Sequence, residues 1–208
     1  MPVIALVGNK GGAGKTTLCV NLAGGLAERA PTIILDADPQ RSSLQWRELA
    51  DESTPLAVVD AVDDVREAIG TAIADHEFVV VDCPPSVQSP QTLQVLECCD
   101  VALIPVQPSP LDLWATVHNE DRVESARQVN PEMRAVLVIN QLEPRTKLSK
   151  LMRTALAELS LPVADTAIRR RIAYRNAILE GRTVLDIGSR GAEAAAEIRA
   201  LITEVFKA

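Results

Sequence analysis

Residues 8 to 17 read GNKGGAGKTT. Glycines that let a backbone curl, followed by a lysine and two hydroxyl side chains, are the parts from which a chain builds a cradle for phosphate. Gly11, Gly12 and Gly14 allow the loop amides to converge, and the positive end of a following helix favours the same anion. In such a loop, formed by Gly11, Gly12, Ala13 and Gly14, Lys15 reaches the β and γ phosphates of a nucleotide. Thr16 ligates Mg2+ and Thr17 bonds the α phosphate. Two details depart from the ordinary pattern. The GxxxxGK spacing would put its first glycine at position 9, which is Asn9, and a second lysine, Lys10, stands where one lysine already suffices.

Carboxylates complete the set. LDADPQ places Asp36 and Asp38 at the end of an apolar run, where one can bind Mg2+ through water and the other can orient an attacking water. FVVVDCPPS runs a second apolar stretch into Asp82, which reads as a Walker B carboxylate holding the metal shell. A lone strand-end Asp often only caps a loop or a helix. Three of them beside a GKT loop point to nucleotide chemistry.

These residues need elements to hold them. Apolar runs predict strands at 2–8, 31–38, 55–61, 77–82, 101–106 and 133–140, and helical spacing predicts helices at about 15–29, 41–50, 63–75, 90–98, 112–129 and 148–160. The runs are apolar on successive residues, which implies burial on both faces of a mainly parallel sheet. The fold expected is α/β, doubly wound with helices on both faces, its ligands at the carboxyl ends of the strands. With 208 residues, 47% of them hydrophobic, residues 1–208 form a single domain in this reading. The terminal stretch carries Ala195, Ile198, Leu201, Ile202, Val205 and Phe206 on one helical face, expected to dock on the core since only Arg199 and Lys207 supply positive charge there.

KGGAGKTT with Lys10, then DADPQ, then VVVDCPPS, resembles the deviant Walker A class of ATPases, the ParA and MinD family, and the resemblance spans essentially the whole chain. It implies that Lys10 is the signature lysine, reaching across an ATP-dependent homodimer to phosphates held by the partner, so that Lys10, Lys15 and Asp38 are the catalytic set. Asp38 would position the water, Asp36 would support the metal with Thr16 and Asp82, and Asn140 would bond the adenine edge. Residues after LPVADTAIRR would flank the base. The cofactors implied are ATP and Mg2+.

DPQRSSLQW and PVQPSPLDLWA further resemble small partition ATPases of the ParF kind, which segregate plasmids or position protein bodies such as carboxysomes. The partners implied are nonspecific DNA and a small adaptor, often a centromere-binding protein, that stimulates hydrolysis. The formal charge of −7 is uneven: residues 141–208 hold twelve Lys and Arg against eight Asp and Glu. Lys147, Lys150 and Arg153 on one helix, and Arg169, Arg170, Arg171 and Arg175, are the candidate DNA contacts, with Arg169 to Arg171 alternatively lying beside the nucleotide.

Two other readings belong to the same fold. A division-site regulator like MinD wants a basic amphipathic tail for a membrane, and this tail is Ala-rich. An electron-transfer enzyme such as the nitrogenase iron protein needs placed cysteines; Cys19, Cys83, Cys98 and Cys99 include no CxxC pair. No apolar stretch approaches the roughly 20 residues of a bilayer span and the cysteines suggest a reduced cytoplasm, so no membrane partner is expected; the resemblance implies a cytoplasmic, nucleoid-associated protein.

Overall fold

The computed structural model describes residues 1 to 207 apart from Ser53 and Arg145, and leaves out the side chains of residues 111 to 115 and 117 to 119 and of Lys147, Lys150 and Arg153. Strands β1 (Val3–Leu6), β2 (Thr32–Asp36), β3 (Ala57–Asp60), β4 (Phe78–Asp82), β5 (Val101–Val106) and β6 (Arg134–Ile139) lie in the order β3-β2-β4-β1-β5-β6. All five neighbouring pairs are parallel. Helices α1 (Lys15–Ala27), α2 (Ser42–Leu49), α3 (Val65–Asp75), α4 (Pro90–Leu96), α5 (Pro110–Arg127) and α6 (Lys147–Leu156) connect or follow them, then come α7 (Ile172–Leu179) and α8 (Ala192–Lys207). Every predicted strand and helix is present, with ends that differ by a few residues.

Alternation along each buried strand feeds two cores. Val3, Ala5 and Val7 join Val65, Ile69, Val95 and Leu156 on the face covered by α3 to α6. Ile4 and Leu6 join Leu18, Leu22, Trp46 and Ile198 on the face covered by α1, α2, α7 and α8. The expectation of burial on both faces fails for β3. It is the sheet edge, paired only to β2, and three of its four residues are exposed.

The chain beyond β6 holds what the sequence pattern did not predict. Residues 162 to 168 run alongside β6: Leu137 N donates to Pro162 O, Ala164 N to Leu137 O and Ile168 N to Ile139 O, at 2.8, 2.8 and 2.9 Å. This segment carries Arg169, Arg170 and Arg171 past the carboxyl edge of the sheet into α7. That helix has only eight residues and leaves Ile172 and Leu179 exposed, so it presents no apolar stripe for a periodicity argument to detect.

Helix α8 does show its stripe, and it docks as expected. Ala195, Ile198, Leu201, Ile202 and Val205 are buried, and Phe206 packs from the margin, with its ring 5.6 Å from that of Phe78. Truncating a fully buried side chain removes its transfer energy and leaves a cavity. Ile198→Ala is therefore expected to lower unfolding stability by about 2–5 kcal/mol, measured by urea denaturation; a wild-type midpoint would show that α8 is dispensable to the core.

Candidate nucleotide site

The loop between β1 and α1 closes over the carboxyl edge of the sheet at its two central strands. Gly12 and Gly14 take φ of 81° and 86°, the left-handed region that side chains rarely enter. A Cβ at Gly14 would also lie 2.6 Å from the amide nitrogen of Asn140. Asn9, at the place of the usual first glycine, accepts a hydrogen bond from Val87 N at 2.9 Å, tying this loop to the one that follows Asp82.

The two lysines of the loop have opposite surroundings. Lys15 is 7% exposed and its Nζ donates to the Lys10 carbonyl at 3.2 Å. Burial lowers its pKa, while Asp82 and Asp38, both near enough to attract it, pull the other way. Lys10 is exposed.

Asp82 is fully buried. Its Oδ2 accepts from Ser43 Oγ at 2.9 Å and its Oδ1 has no hydrogen-bond partner. Desolvation pushes its pKa up to about 7 against the opposing effect of the Thr16 and Ser43 hydroxyls. An orphaned buried carboxylate oxygen next to a threonine hydroxyl is the donor set a hard cation or its bound water would satisfy. Among the described residues no group of three or more His, Cys, Asp and Glu is arranged to hold a metal ion. Any Mg2+ here would share its shell with phosphate and water.

Asp36 is placed differently from Asp82. Its two oxygens accept from Asp38 N at 3.1 Å and Leu44 N at 3.0 Å, so it staples the turn that enters α2 and raises Asp38 into the site. Burial raises its pKa too. Asp38 is 7% exposed and accepts from Gln40 N at 2.9 Å.

Beside the loop a cleft is lined by Gly14, Thr17, Leu18, Asn140, Gln141, Ile168, Arg169 to Arg171, Tyr174 and Arg175. Asn140 is buried, donates to Ala13 O at 2.7 Å and accepts from Gln141 N at 2.9 Å. The amide expected to meet a base thus bonds the phosphate loop itself. The three consecutive arginines, candidates for DNA contact or for a place beside the nucleotide, wall this cleft and pair with carboxylates. Arg169 lies 3.7 Å from Glu197, Arg170 bonds Glu143 at 2.6 Å, and Arg171 bonds Glu197 at 2.8 Å and also Glu193. The side chains of Lys147 and Lys150 lie outside the described residues.

Residues 4–184 match the model of the CobQ/CobB/MinD/ParA nucleotide binding domain. The chain belongs to this family. It is 44% identical over 207 residues, 98% of its length and 95% of the relative's, to maintenance of carboxysome distribution protein A of Halothiobacillus neapolitanus. A protein of the same description from Gloeobacter kilaueensis is 31% identical over 98% of this chain and 93% of its own. Among solved structures, McdA of Cyanothece in complex with ATP superimposes with a TM-score of 0.76 over 99% of this chain and 96% of that one, at 15% identity. The expected fold, a parallel α/β sheet of the ParA and MinD kind, is the fold observed.

Sequence reasoning gathered Lys15, Thr16, Thr17, Asp36, Asp38, Asp82 and Asn140 from four separate segments, and the fold brings them to one edge. It missed Ser43, Gln107, Gln141 and Tyr174. Gln107 directly follows β5 and Gln141 lies two residues past β6, so the rule that ligands gather at strand carboxyl ends could have flagged them by position. Ser43 and Tyr174 carry no such signal.

The Asp82 carboxyl has a folded pKa near 7 against an ordinary value of 3.8. Between those values the folded state binds the extra proton, so this group makes stability fall as pH rises through the window and level off above pH 7. Asp82→Asn removes the buried charge. It is expected to be more stable than wild type by a few kcal/mol at pH 8, with little difference at pH 4, read from urea unfolding at both values. Equal stability at pH 8 would mean that Asp82 is not desolvated as described.

Proposed function

We propose that this chain is an ATPase switch of the ParA type that positions a protein cargo, most directly carboxysomes. In this reading it binds ATP with Mg2+, pairs with a second copy while ATP is bound, and separates after hydrolysis to ADP and phosphate. The observation that carries the reading is the division of labour between the loop lysines, one buried against Asp82 and Asp38 and the other exposed on the same loop. The full-length similarity to carboxysome distribution proteins supports the cargo class.

In this reading each site residue has its own role. Lys15 holds the phosphates from within, at the expense of its bond to the Lys10 carbonyl. Thr16 and Asp82 hold the metal shell, with Asp36 supporting it by fixing Asp38, and Asp38 orients the attacking water. The loop amides from Gly11 to Gly14, together with Thr17, receive the remaining phosphate oxygens, and the cleft beside Asn140 receives the base. Bound Mg-ATP supplies the scissile phosphoanhydride and a concentration of negative charge between two copies. Lys10 offsets that charge from the partner's side.

Retention on nonspecific DNA would rest on α6, where Lys147 and Lys150 stand three apart, and on Arg170 at the rim of the cleft. A small adaptor protein that stimulates hydrolysis would connect the dimer to its cargo. The membrane-associated alternative is disfavoured, because the apolar face of α8 that would enter a membrane is already buried in the core. No helix among the described residues is long and apolar enough to cross one.

With a slowly hydrolysed ATP analogue, wild type is expected to shift from monomer to dimer in light-scattering chromatography. Lys15→Ala should neither bind a fluorescent ATP nor dimerise, whereas Lys10→Ala should bind ATP within about threefold of wild type and remain a monomer. A Lys10→Ala protein that dimerises normally would overturn the switch reading.

A further inference from the structure

Three side-chain amides hold two carbonyls of the phosphate loop. Gln107, just beyond β5, donates through Nε2 to Gly12 O at 2.6 Å. Gln141, just beyond β6, donates through Nε2 to the same oxygen at 3.2 Å. Asn140 donates to the next carbonyl, Ala13 O, at 2.7 Å. Two consecutive carbonyls of the loop are thereby fixed by residues 95 and more positions away in sequence.

A trans peptide is planar, and its N–H points opposite to its C=O. Fixing Gly12 O toward the β5 and β6 ends fixes Ala13 N–H in the reverse direction, and fixing Ala13 O does the same for Gly14 N–H. Glycine-rich loops pay for their curl with freedom, since Gly12 and Gly14 have no side chain to resist a peptide flip. External donors are what removes that freedom. Gln141 reaches its acceptor from φ 55°, a left-handed backbone that a side chain rarely adopts. Glycine would adopt that conformation more readily, but it would bring no amide.

We infer that Gln107 and Gln141 are positioning residues for the phosphate loop, which jointly hold the Gly12 carbonyl toward the ends of β5 and β6 and so present the Ala13 amide to phosphate. The inference rests on the ATP-binding reading above. Neither glutamine needs to touch a nucleotide for it to hold. Because two donors share one oxygen, either alone keeps most of the orientation, and loss of both releases it. Helix and sheet packing are not involved, so the effect belongs to binding and not to folding.

The test uses the full chain and fluorescent ATP and ADP titrations, with thermal unfolding in parallel. Gln107→Met and Gln141→Met keep side-chain length and remove the donor. Each is expected to raise Kd by about twofold to threefold for both nucleotides, and the double variant by about tenfold or more, beyond the product of the singles. Gln141→Gly is expected to bind as weakly as Gln141→Met while unfolding at or above the temperature of Gln141→Met, because it relieves the left-handed backbone. Wild-type Kd in the double variant overturns the clamp. So does a double variant whose loss is only the product of the singles, since the two residues would then act on separate targets. Wild-type protein that binds neither nucleotide would instead overturn the ATP reading, and the clamp with it.

Discussion

The structure depends on keeping opposite charges out of water at the carboxyl edge of a parallel sheet. Lys15 and Asp82 attract one another, yet burial moves both toward their neutral forms, lowering the lysine and raising the aspartate. Desolvation therefore outweighs the pair's own attraction, as is common for buried ion pairs. A site in that condition is not at rest electrostatically. It has a carboxylate oxygen without a partner and a lysine resting on a backbone carbonyl, and both would be better satisfied by a metal-bound polyphosphate.

The strand order explains why these charges meet. β1 and β4 are neighbours at the centre, in register so that Leu6 lies beside Asp82, and β2 places Asp36 opposite Asp82 on the other side. The loop leaving β1 must pass directly over Asp82, and the turn leaving β2 must pass beside it. With two aliphatic cores pressing on the sheet from both faces, the edge cannot relax away from this convergence. The hydroxyls of Thr16 and of Ser43, at the start of α2, oppose the cost of burying Asp82.

A second set of interactions reaches the same loop from the far side of the sheet. Residues carried past β6 bring an arginine-rich wall whose charges are balanced by Glu143, Glu193 and Glu197. Glu197 lies on α8 and accepts from the backbone and side chain of the cleft wall, at Arg169 N and at Arg171. The carboxyl-terminal helix is thus part of the site's frame as well as of the core. Part of the positive charge of residues 141–208 is thus paired within the molecule, at Arg169, Arg170 and Arg171.

The sequence by itself determined the fold class and the positions of the strands, and it marked the glycine-lysine loop and three aspartates as the candidate site. Apolar runs, glycines and strand-end carboxylates are local features whose chemistry does not depend on distant residues. It did not reveal α7, the exposure of β3 or the partners of the arginines. α7 is short and has no apolar stripe, an edge strand can be apolar without being buried, and an ion pair joins residues that only the fold makes neighbours. The tertiary structure alone decided that Asp36 staples a turn, that Asn140 holds the loop, and that Gln107 and Gln141 share one carbonyl. A glutamine has no chemistry distinctive enough to be read in isolation, and its role follows from which oxygen the fold places within its reach.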